Sequence, residues 1–145
     1  MANNADLIYK YTEKEVDNFN KSIDTVTGKL TTSLGFAGVV IKFVGDVDSG
    51  WIKISLTAFV VASILVAFVG LFPKDRGDAL RCKAFFGDKA DWWFGSPSEE
   101  VQMSIANQWV EHVRLLENLL NFRTICLKVS HACLVVAALL FAFTK

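Results

Sequence analysis

Long apolar runs alternate along the chain with segments that carry nearly all of its charge. The run 54–72 contains no charged residue, and a bilayer core about 30 Å thick needs about 20 apolar residues in a helix. A chain of 145 residues has too little other mass to surround such a helix as the core of a soluble domain. The pattern therefore predicts helices that cross a membrane.

The apolar runs predict three transmembrane helices, and the second is the clearest of them. Trp51 and Lys74 bracket it with residue types that favour the membrane interface. The third contains Lys128 near its cytoplasmic end, from where the long side chain can extend to the interface. The predicted spans are 29–46, 52–73 and 125–144.

The first span contains a charged residue, so its assignment depends on further features. Gly35 and Gly38 are predicted to allow close helix packing. Lys42 lies near the far end of the run, where its ammonium group can reach the opposite interface, with Asp46 or Asp48 as its partner.

Two segments outside the spans, 1–28 and 98–124, have the period of amphipathic helices. In the first, apolar residues follow a 3-4 spacing that only Thr12 interrupts. The second starts at Ser96-Pro97-Ser98-Glu99, a typical helix start, and no proline or glycine follows it. Both helices are therefore predicted to continue into the adjoining spans. Their seam residues are Tyr9, Val16, Phe19, Ile23, Val26 and Leu30 on one helix and Ala106, Trp109, Val113, Leu116 and Leu120 on the other.

The predicted fold is thus an all-α membrane protein with one membrane domain, 1–145. Three transmembrane helices are expected, and two long helices extend from them into a cytoplasmic helical stalk that resembles a coiled coil. Phe19 and Leu116 are the helix-packing residues predicted for this stalk.

The connection 74–97 is long and rich in aromatic residues. Connections of this length are usually functional or packed against another surface. Its rings alternate with lysine and aspartate, a composition that suits the membrane interface, and contact with a ligand or partner is the alternative. The predicted interface residues are Phe85, Phe86, Trp92, Trp93 and Phe94, together with Trp109 on the following helix.

Basic residues are distributed asymmetrically about the spans. They precede the first span and recur through 74–124, whereas the short connection after the first span contains Asp46 and Asp48 but no lysine or arginine. The positive-inside rule therefore places the N-terminus and 74–124 in the cytoplasm. The first residues are polar, so no N-terminal signal peptide is expected.

Candidate catalytic chemistry is sparse. Gly28-Lys29 resembles the end of a phosphate-binding loop, but Leu30 stands where that loop needs serine or threonine. The three cysteines form no CxxC pair, and His112 and His131 lie far apart on one helix. His131 is an intramembrane polar residue, like Lys42, and either a functional role or a hydrogen bond to a neighbouring helix fits it. The sequence predicts no enzymatic activity, metal site, nucleic-acid partner or cofactor. A bound lipid or pigment is compatible with this prediction.

The stretch 24–40 carries a resemblance to known proteins. Lys29 is followed, after five residues, by Gly35-Phe36 and then by Gly38-Val39. This K-x(5)-G-F-x-G-V pattern resembles the start of the first span in small bacterial multi-span membrane proteins, most of them uncharacterised. The resemblance implies a membrane hairpin ending in Gly-Leu-Phe-Pro, here 70–73. The architecture is similar to that of Pycsar-type transmembrane effectors, whose cytoplasmic helical part senses a cyclic nucleotide and whose membrane part compromises the bilayer.

Two classes of function follow. In the first, the chain is a non-enzymatic structural or accessory subunit that binds lipids and another membrane protein. In the second, it is a homo-oligomeric effector or channel-like protein gated by a cytoplasmic signal such as a cyclic nucleotide. The first is preferred because Lys42, His131 and a few hydroxyl residues offer little polarity for a pore. Either protein would be a multi-pass component of the bacterial cytoplasmic (inner) membrane or of an internal bioenergetic membrane.

Overall fold

The computed structural model describes residues 4–47, 50–72 and 97–143, and this part of the chain forms three α-helices. They are α1 (Asn4–Val44), α2 (Gly50–Leu71) and α3 (Ser98–Ala142). The all-helical class predicted from the sequence is confirmed for these residues. Two of the helices, α2 and α3, are long and apolar enough to cross a membrane.

Both long helices are continuous, in agreement with the sequence. Helix α3 starts after Pro97, whose carbonyl accepts hydrogen bonds from the backbone N–H groups of Glu100 and Val101, and no helix-breaking residue follows. Gly28 lies within α1 without ending it, because a single glycine costs a helix only about 1 kcal/mol.

A turn follows the end of α1. The backbone N–H of Asp46 donates to the carbonyl of Phe43 at 3.2 Å, which closes the last turn of α1. The carbonyl of Gly45 accepts a hydrogen bond at 3.0 Å from the ammonium group of Lys53 in the first turns of α2. The turn and this contact hold the two helices as a hairpin.

The chain divides into two compact units, which we call the seam unit and the three-helix unit. The seam unit comprises Met1–Ile23 and Lys74–Leu120, and the three-helix unit comprises Asp24–Pro73 and Asn121–Lys145. Helices α1 and α3 each contribute to both units, whereas α2 belongs to the three-helix unit.

The seam unit is held together by apolar contacts between α1 and α3. Ile23 and Leu116 are fully buried, and Leu119 is nearly so. Further along the pair, the rings of Tyr9 and Trp109 stack with centroids 5.0 Å apart. The helices run in the same direction, since residues early in α1 meet residues early in α3. The half-buried members of this core are Val16, Phe19 and Leu120.

Thr12, the predicted break in the seam, is itself buried. Its hydroxyl lies 2.9 Å from the carbonyl oxygens of Ile8 and Tyr9. A threonine satisfied by its own helix can occupy a buried position without a polar partner on the facing helix.

The three-helix unit has two apolar clusters that involve all of its helices. In the first, α1 supplies Ala37 and Val44, α2 supplies Leu56 and Val60, and α3 supplies Leu134 and Ala137. In the second, Leu30, Ala67 and Cys126 meet, again one from each helix. Helix α1 is parallel to α3 and antiparallel to α2 in these contacts.

Candidate functional site

Two buried serines join α2 to α3. The hydroxyl of Ser63 donates to the carbonyl of Ser130 at 3.1 Å, and the two hydroxyl oxygens lie 2.8 Å apart. Both side chains are fully buried, so this pair satisfies its polar groups inside an apolar bundle.

The adjacent residue, His131, joins α3 to α1. Its Nε2 lies 3.0 Å from the hydroxyl oxygen of Ser33, and that hydroxyl donates to the carbonyl of Lys29. Of the two interpretations that the sequence left open, the structure thus contains the hydrogen bond to a neighbouring helix. The remainder of the His131 side chain is exposed.

An arginine is buried in the three-helix unit, two residues after Asn121, where α3 enters that unit. Arg123 is only 4% exposed, and its guanidinium donates to the hydroxyl of Thr27 on α1. Sequence reasoning counted Arg123 only as a basic residue beside the third span. The 3-4 spacing from Leu116 through Leu119 does place position 123 on the buried side of α3. That spacing alone could have predicted that Arg123 is buried.

Lys42 lies on the outer surface of α1. No ion pair joins it to Asp46 in the described part of the chain, and the other predicted partner, Asp48, lies outside the described residues. Asp46 is also exposed, one helical turn beyond Lys42.

The two glycines predicted to pack helices lie away from the core of the chain. Gly35 and Gly38 are exposed, and a Cβ atom built on either would meet nothing within 4 Å. Among the described residues, the glycine that mediates close packing between helices is Gly70 of α2. A Cβ atom there would lie 2.8 Å from the Cβ of Cys126 and 3.1 Å from Leu30.

Of the other predicted site residues, three lie in the seam unit. Leu116 is fully buried and Phe19 packs beside it, while Trp109 stacks on Tyr9. The predicted aromatic interface residues Phe85, Phe86, Trp92, Trp93 and Phe94 lie outside the described residues.

Much of the outer surface of the three-helix unit consists of apolar side chains. Large side chains project outward from each helix, including Phe36 (55% exposed), Leu65 (60%) and Leu139 (56%). Among the described residues, no group of three or more histidine, cysteine, aspartate or glutamate side chains is placed to hold a metal ion. The polar side chains brought together here contact one another or backbone carbonyls.

Comparison of the chain with models of protein families, with curated proteins and with solved structures finds no match.

Proposed function

We propose that this chain is a three-span integral membrane protein that acts without catalysis, as a structural or accessory subunit of a membrane complex. The main support for the proposal is the packing of the 30–44 segment of α1, which has apolar residues on both its inner and its outer side. Its inner residues Ala37 and Val44 pack with α2 and α3 in one cluster, while its outer residues Phe36 and Phe43 are half or more exposed. A helix that is apolar on both sides suits a lipid environment.

The buried polar contacts support the same proposal. In a bilayer, unsatisfied polar groups are costly, and serine hydroxyls bridge helices at low cost. Ser63 with Ser130, and Ser33 with His131, connect α3 to both other helices in this way. These contacts orient the helices relative to one another.

The asymmetry of basic residues supports the orientation. With three spans, the N-terminus and the 74–97 connection lie in the cytoplasm, and the turn between α1 and α2 lies outside. We place the protein in the bacterial cytoplasmic membrane or an internal bioenergetic membrane, in contact with lipids and at least one further protein subunit.

The aromatic cluster in 74–97 provides the test of the subunit role. A cluster of tryptophans at the centre of an interface contributes about 2 kcal/mol or more to binding. We expect the double variant Trp92→Ala/Trp93→Ala to weaken association about 30-fold or more. The measurement is the size of the complex after extraction in mild detergent, together with retention in the membrane at alkaline pH.

Trp51→Ala is the matched control, since Trp51 is 85% exposed at the start of α2 and lies outside the cluster. It should leave the complex intact. A double variant that stays assembled but leaves the membrane more readily would show that the tryptophans anchor the chain to lipid, and docking through this cluster would be rejected.

A further inference from the structure

Two helix faces meet at the contact between Ser33 of α1 and His131 of α3. The hydroxyl oxygen of Ser33 lies 3.0 Å from Nε2 of His131, and residues three or four positions away on each helix share a face with them. Because α1 and α3 are parallel, the residues that precede the contact lie at one end of it and those that follow lie at the other. The members of this surface, which we call the α1–α3 face, are Lys29, Ser33 and Phe36 on α1 and Lys128, His131 and Val135 on α3.

The N-terminal end of the α1–α3 face is basic. Lys29 and Lys128 each lie about 5 Å along their helix axes from the serine–histidine contact. Both are exposed, and neither forms an ion pair with another described residue. The sequence contains no acidic residue in 25–45 of α1 or in 118–142 of α3. The charge at this end is therefore complementary to an anion.

The opposite end of the face is apolar. Phe36 is 55% exposed and Val135 is 59% exposed, and both lie about 5 Å beyond the contact. His131, between the two ends, is also exposed, and a polar side chain that faces hydrocarbon in a span is costly. Over about 10 Å the face thus changes from charged to polar to apolar. A phospholipid has the same order of phosphate, glycerol ester and acyl chain.

The position of the basic end relative to the bilayer favours a lipid over a free anion. In the proposed orientation, Lys29 and Lys128 lie at the cytoplasmic ends of the first and third spans. Anionic lipids are concentrated in that leaflet, and basic pockets between transmembrane helices on that side bind their headgroups. A free phosphate ion would match the lysines alone, whereas a phospholipid also matches the polar and apolar parts of the face.

We infer that the α1–α3 face binds an anionic phospholipid of the cytoplasmic leaflet. Its phosphate lies beside Lys29 and Lys128, and an acyl chain lies along Phe36 and Val135. The inference rests on the proposed function, because α1 and α3 must both be inserted with their N-terminal ends towards the cytoplasm. It names the class of lipid that the membrane subunit contacts and the surface that binds it.

The test measures lipid binding to the purified full chain in detergent micelles. Phosphatidylglycerol and phosphatidylcholine are added in equal amounts, and native mass spectrometry counts the bound lipids. We expect the unsubstituted chain to prefer phosphatidylglycerol, and the double variant Lys29→Gln/Lys128→Gln to bind it at least about tenfold more weakly. Lys14→Gln/Lys42→Gln removes the same charge from two other exposed positions and should bind phosphatidylglycerol as the unsubstituted chain does.

Three results overturn the inference. Equal weakening in both double variants would show that net charge, and not this face, attracts the lipid. Equal binding of the two lipids by the unsubstituted chain would show that the headgroup charge is not recognised. Displacement of phosphatidylglycerol by the same concentration of inorganic phosphate would show that a phosphate group alone is bound. Each of these results leaves the proposed function standing, whereas failure of the unsubstituted chain to insert into the membrane would reject the proposed function itself.

Discussion

Ile23→Asp is expected to lower the free energy of unfolding by about 4 kcal/mol, because it removes a fully buried side chain and places a carboxylate in its apolar site. Ile23 is 0% exposed and packs between Leu116 and Leu119 of α3. The midpoint of thermal unfolding in mild detergent, followed by the helical circular dichroism signal, measures the loss.

Asn18→Asp is the control for this substitution. Asn18 lies on the exposed side of α1 in the same unit, so the introduced charge stays in water and should change stability by no more than about 0.5 kcal/mol. If Ile23→Asp were tolerated as well as Asn18→Asp, the contact between α1 and α3 in the seam unit would be refuted.

Gly70→Ala should also destabilise the chain, by about 2 kcal/mol, because the added methyl group overpacks the contact between α2 and α3. Its Cβ would lie 2.8 Å from the Cβ of Cys126, an atom that cannot move without its backbone. Unfolding of the monomeric chain at a high ratio of detergent to protein measures the effect.

Gly35→Ala is the matched control, and its expected effect has the opposite sign. Nothing lies within 4 Å of its Cβ position, so alanine should stabilise the monomer by about 0.5 to 1 kcal/mol through its higher helix propensity. Equal loss of stability in both variants would mean that glycine matters at these positions for a reason other than close packing within the chain.

The sequence predicted the helices well because their signals are local. The absence of proline and glycine after Ser98 predicts an uninterrupted α3, and the structure has one. One packing detail could not be obtained in this way. A 3-4 pattern after Leu116 fits either Leu119 or Leu120, and only the structure shows that Leu119 is the more buried.

The polar contacts were harder to predict because they depend on which helices meet. Ser63 and Ser130 are 67 positions apart in the chain, and a serine within an apolar run does not indicate which helix it faces. Likewise, Gly35 and Gly38 indicate close packing but not the identity of the neighbour. In the structure both are exposed, and among the described residues no other helix packs against them.

The central claim, that the chain crosses the membrane three times, is tested most directly by two introduced cysteines. Ser22 and Gly50 are exposed positions before and after the apolar half of α1. A membrane-impermeant thiol reagent added to intact cells should label Gly50→Cys. It should label Ser22→Cys only after lysis, with the unsubstituted chain showing the background from native cysteines. Labelling of both positions from the same side would mean that α1 does not cross the membrane, and would contradict the account.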